Sequence, residues 1–265
     1  MKARGFTLVE LIMTLTIAGV LATGVVGYID LSMQGYVDSV ARQRMAATMV
    51  VASEKMTREL RESLPNSIRV GGNSDSADNC IEFIPILVGV QYSDIPLDTA
   101  ATSFSASAHT IAAPVSAYVT VYPIDTNDIY QPSDSVPASM TAARATFPVG
   151  TNAITVSLGA AHSFLADSPA RRAYGVDTPV TYCQPPGSAR LYRYSGYGFN
   201  AAAVLPPTGG TRAVVADELS MTSPIVFSYA AATQGRSAVV GFELTAADQD
   251  ADMVLAQEVQ VRNVP

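Results

Sequence analysis

Apolar side chains fill the start of the chain: from residue 6 to residue 29, about 24 consecutive positions carry one ionisable group, Glu10. A run of that length spans a bilayer as a helix. No proline occurs between Phe6 and Leu64, and Pro65 followed by Asn66 is a stop signal, so the pattern predicts one continuous helix of about 59 residues. Its second half, residues 30–64, reads as amphipathic. Met33, Tyr36, Val37, Val40, Ala47, Val51, Leu60 and Leu64 approximate a helical stripe expected to lie on a sheet. Arg42, Arg44, Glu54, Lys55, Arg58, Glu59, Arg61 and Glu62 form the solvated face, with Glu54 and Arg58 spaced i, i+4.

Beyond Pro65 the pattern changes to short β-favouring runs between turn signals, at residues 80–84, 118–122, 153–158, 180–183, 225–229, 238–244 and 258–262. The last three predict a β-meander with loops at 231–235 and 246–252. Segments 71–79, 132–139 and 201–210 are rich in Gly, Ser, Asp, Pro or other small residues and read as surface loops. The expected class is α+β: a long N-terminal transmembrane and amphipathic helix packed on an antiparallel β-sheet head.

Charge fixes the direction of insertion. Lys2 and Arg4 precede the span and favour a cytoplasmic N-terminus, which places everything after Ile29 across the membrane. A net charge of -7 and the lack of a clustered basic stripe argue against nucleic acid as a partner. Cys80 and Cys183 lie beside strand-like sequence. If that region is outside the cytoplasm they read as a disulfide contributing roughly 4–5 kcal/mol, with two unpaired buried thiols as the alternative.

Three readings of the N-terminus compete. A secretory signal, cleaved after the small-residue site at Ala22, leaves an acid inside its apolar core unexplained. A plain anchor accommodates Glu10 by snorkelling but leaves Gly5-Phe6-Thr7-Leu8-Val9-Glu10 as coincidence. In the third reading that hexapeptide, followed by the apolar run, resembles the leader junction of the type IV pilin superfamily.

The resemblance implies cleavage by a prepilin peptidase between Gly5 and Phe6, N-methylation of Phe6, and a Glu10 carboxylate that pairs with the Phe6 ammonium of a neighbouring subunit. It divides the chain into a leader (1–5), a transmembrane half-helix (6–29), an amphipathic half-helix (30–64) and a β-rich head (65–265). An unpaired carboxylate in an apolar medium is disfavoured by several kcal/mol, so such a pair recruits subunits and sets their register. Gly19, Gly24 and Gly27 in the membrane half suit either close helix packing or local melting on assembly.

Residues 63–69, 80–86, 92–96 and 262–265 further resemble the MshO family of minor pilins, which serve biogenesis of the MSHA pilus; residues 97–150 have no counterpart in that resemblance. It implies a structural subunit that initiates or caps a filament. The implied partners are other pilins through the N-terminal helix, the prepilin peptidase, the inner-membrane assembly platform and membrane lipid. The implied location is single-pass in the inner membrane with a periplasmic head, then extracellular in the pilus. No cofactor is implied. A J-type pseudopilin of type II secretion, a tip adhesin and a tethered or secreted enzyme are the alternatives.

Little in the head suggests chemistry. His109 and His162 stand outside metal and nucleophile motifs. The carboxylates of residues 248–252 alternate like a calcium loop but lack its glycine and trailing glutamate, which favours a solvated hairpin loop. Tyr192, Arg193 and Tyr194 with Tyr197 and Phe199 favour cross-strand packing over a partner surface.

Overall fold

The computed structural model describes residues 6–72, 79–107, 111–232, 236–248 and 251–261. Helix α1 runs from Leu8 to Arg61, 54 residues. It stops before Pro65 because the chain turns to a sheet: Ser63 bridges Pro85, and the Leu64 amide donates to the Ile84 carbonyl at 2.8 Å. The chain forms two compact units, residues 1–47 and 48–265, so the boundary falls inside α1.

In the second unit the buried helix positions are Met49, Ala52, Ser53, Met56 and Leu60, followed by Leu64. Their spacing of three and four residues defines one face. The expected stripe is corrected accordingly: of its eight residues only Leu60 and Leu64 are buried, and Val51 is 62% exposed. Unbranched methionine and small Ala and Ser fill the seam, while Val50 and Val51 face outward.

Fourteen strands follow among the described residues: β1 (Arg69–Gly71), β2 (Cys80–Phe83), β3 (Ile86–Asp94), β4 (Ala101–Ala106), β5 (Val115–Val121), β6 (Ala145–Phe147), β7 (Ile154–His162), β8 (Arg172–Val176), β9 (Val180–Cys183), β10 (Leu191–Ser195), β11 (Thr211–Ala216), β12 (Val226–Ala230), β13 (Ala238–Asp248) and β14 (Ala251–Val261). A short helix α2 (Thr126–Tyr130) is capped by Asp125, whose carboxylate accepts from the Asn127 amide at 2.7 Å.

Three assemblies result, all antiparallel: a five-stranded sheet β1-β2-β9-β10-β11, a three-stranded sheet β12-β13-β14, and a closed barrel β3-β4-β7-β6-β5-β8. Strands β2 and β9 pair from Cys80↔Cys183 to Phe83↔Val180, and the whole barrel lies between them in sequence. The barrel is thus an insertion into a two-strand ladder. It contains the segment 97–150 that has no counterpart in the family resemblance.

Alternation fills the barrel. Val88, Val90 and Tyr92 of β3 and Ile154, Val156 and Leu158 of β7 point inward with Phe104, Val119 and Phe147. A barrel this narrow demands glycine where strands crowd. A Cβ at Gly175 would fall 2.6 Å from a Val88 methyl and 2.7 Å from the Phe147 ring.

The C-terminal meander has the expected order, but the loop predicted at 246–252 is corrected. Strand β13 continues to Asp248 and β14 starts at Ala251, with Ala246↔Met253 and Ala247↔Asp252 paired. Apolar Leu244, Met253 and Leu255 extend the ladder into a stretch whose Ala and Asp content suggested a turn. The predicted loops 132–139 and 201–210 are irregular segments as expected. Most of 71–79, the end of 231–235 and the C-terminal segment 262–265 lie outside the described residues.

Candidate processing and assembly site

Helix α1 begins with a reciprocal cap. Thr7 lies just before the helix, and its hydroxyl accepts from the Glu10 amide at 3.3 Å. The Glu10 carboxylate in turn accepts from the Thr7 amide at 3.5 Å and the Thr7 hydroxyl at 3.4 Å. This is a capping box, in which residues N-cap and N3 satisfy two of the amide donors left over at a helix start. Glu10 also sits in the first turn, at the positive end of the helix dipole. Thr7 as a cap escaped the sequence reading, although Thr-x-x-Glu before an apolar run is its signal. Phe6 is 73% exposed, and Gly5 lies outside the described residues.

From Phe6 to Val40 every position is exposed, large apolar residues included. The helix is long and apolar enough to cross a membrane. Its hydroxyls are prepared for that medium: Thr14, Thr16 and Thr23 each donate to a carbonyl three residues back, at 2.9 Å. A Cβ at Gly19, Gly24 or Gly27 would meet nothing within 4 Å, so no contact within the chain requires these glycines. Small residues of this kind permit close approach of another helix.

In the head, Cys80 and Cys183 form a disulfide at the end of the β2–β9 ladder remote from the barrel. Both are fully buried, under Tyr194 and Leu205 with Tyr192 and Tyr197 alongside. The expected cross-strand packing holds for Tyr192 and Tyr194 of β10, which lie opposite Cys183 and Thr181 of β9, whereas Phe199 lies outside the strands and meets the Tyr118 ring edge-on at 5.0 Å.

Beside the disulfide cluster lies a buried polar network. The Arg69 guanidinium donates to Glu82 at 2.8 Å and to the carbonyls of Asn200 and Ala201, and it stacks 3.3 Å above the Tyr130 ring. The Tyr197 hydroxyl donates to the other Glu82 oxygen at 2.8 Å, and Tyr130 donates to the Ser67 carbonyl. Burial raises the Glu82 carboxyl above its usual range, against the opposing pull of Arg69. Burial also raises the hydroxyls of Tyr130, Tyr182 and Tyr197, and pushes Tyr92, which donates to Asp167, up to about 12. These contacts pin the loop after β10 to β1 and β2.

The surroundings of His162 do not present it to a nucleophile. His162 is fully buried, its Nδ1 is 3.0 Å from Asp134 and its Nε2 faces the Ala138 carbonyl at 3.1 Å, where a nucleophilic hydroxyl would have to stand. His109 and residues 249–250 of the acidic run lie outside the described residues. Among the described residues no three His, Cys, Asp or Glu side chains come together as a metal-binding group.

Residues 1–26 match the family model of the prokaryotic N-terminal methylation motif, which supports a type IV pilin-like or pseudopilin-like chain anchored by a single N-terminal helix. No curated protein and no solved structure matches the chain.

Proposed function

We propose that this chain is a minor pilin of an MSHA-type type IV pilus, a structural subunit that initiates or caps the filament. The methylation motif over residues 1–26 supports the pilin-like role, and the MSHA assignment rests on the resemblance of residues 63–69, 80–86, 92–96 and 262–265. A prepilin peptidase hydrolyses the Gly5–Phe6 bond on the cytoplasmic face, and the new Phe6 amine is then methylated. Before assembly, α1 anchors the chain in the inner membrane with residues 65–265 in the periplasm, where oxidation of Cys80 and Cys183 is permitted. On assembly, the exposed apolar stretch 6–29 passes from lipid to the helices of other pilins at the assembly platform.

Glu10 acts at that transfer. Its carboxylate caps its own helix through Thr7, and it remains exposed and able to accept the Phe6 ammonium of a neighbour. The large β-rich head equally suits a J-type pseudopilin, the second reading.

Glu10→Ala tests the assignment. The variant should keep its head disulfide and fold, yet fail to enter filaments isolated from cells expressing the other pilins. Normal incorporation would overturn the role of Glu10.

A further inference from the structure

Strand β14 is an edge of unusual length for this head. It pairs with β13 over eleven consecutive positions without a register shift, whereas β3–β4, β3–β8, β4–β7 and β10–β11 each contain one. Its other side carries no strand among the described residues. The remaining edges of the two open sheets are short or shielded. Strand β1 has three residues, β12 lies against β1 and β2, and β11 is irregularly paired.

Natural sheets blunt such an edge with lysine, proline, a bulge or brevity. Strand β14 has none of these. Its centre is instead the apolar run Met253-Val254-Leu255-Ala256, with Val254 56% exposed and Met253 and Leu255 half-buried. Acids flank the run: Asp252 and Glu258 are both exposed and, six residues apart, share one face about 20 Å apart.

That charge pattern selects the occupant. A second copy pairing antiparallel about Leu255 would set Asp252 directly opposite the other chain's Glu258, twice by symmetry, and like charges directly opposite one another are destabilising. A strand with an apolar centre flanked by Lys or Arg meets both carboxylates favourably. We propose that β14 is a docking edge that accepts such a cation-flanked strand from the head of a different subunit, by β-strand addition. The identity of that partner rests on the filament reading; the edge and its charge selectivity do not.

The test uses the full-length chain in nonionic detergent micelles. The probe is an eleven-residue peptide of alternating Val and Thr with two lysines six positions apart, and its twin carries glutamates there. The lysine peptide should slow hydrogen exchange of β14 amides at least tenfold, and the glutamate peptide should not. Asp252→Lys combined with Glu258→Lys, at exposed positions, should reverse that preference. Unchanged β14 exchange, equal protection by both peptides, or β14 protection that rises with protein concentration alone would each overturn the proposal. Failure of the filament reading would appear separately, at the processed N-terminus.

Discussion

Cys80 and Cys183 are 103 residues apart in sequence, yet they face one another across β2 and β9 with Cα atoms 4.1 Å apart and are joined by a disulfide. The barrel β3 to β8 is strung between them, so this bond and the four paired residue positions of the β2–β9 ladder hold the base of an inserted domain.

Breaking the bond removes a cross-link that closes about a hundred residues, worth about 4.7 kcal/mol on the chain-entropy model and often less in measurement. Cys80→Ser with Cys183→Ser should therefore lower stability by about 2–5 kcal/mol, read as a drop in the denaturation midpoint. The same loss should follow from reduction of the parent chain. A midpoint unchanged in both cases would show that the β2–β9 ladder holds the base unaided.

Arg69 and Glu82 make the second prediction. Arg69→Met leaves a buried carboxylate with Tyr197 as its one side-chain donor among the described residues, at a cost of about 3–5 kcal/mol. Adding Glu82→Gln to Arg69→Met should recover part of that loss, because the stranded charge is gone. Equal stability of single and double variants in denaturant titrations would contradict the account.

Alkaline pH provides a third. Tyr92, Tyr130, Tyr182 and Tyr197 all have hydroxyls raised above the ordinary value near 10. Above about pH 10 the unfolded chain releases these protons while the folded head retains them. The stability they contribute is full below the unfolded value and is lost as pH rises through the folded ones. Tyrosinate absorbance should show these groups titrating late in the native protein and together on unfolding. Titration of all twelve tyrosines near pH 10 without unfolding would contradict it.

Much of the frame was legible because it is written locally. The unbroken apolar run set α1, Pro65 and Asn66 marked its end to within a turn, and β-branched runs marked β2, β5, β7 and β9. The barrel was not legible. Strands β3, β4 and β8 contain Gly89, Ser103, Ser105 and Gly175, which lack strong β preference and adopt strands because the ring closes around a shared core. The helix face was misread for a related reason: only the buried environment distinguishes Met49 and Met56 from the outward Val50 and Val51. At the N-terminus, the hexapeptide around Glu10 lies within the stretch that matches the N-terminal methylation motif, while the Thr7 cap went unnoticed.

The central claim is that residues 1–5 are removed and residues 6–29 are kept. The intact mass and N-terminal sequence of the protein recovered from membranes of cells expressing the matching peptidase test it most directly. The account predicts a chain that starts at N-methylated Phe6. A chain that starts after Ala22 would have lost Glu10 with a secretory signal and would contradict the filament reading.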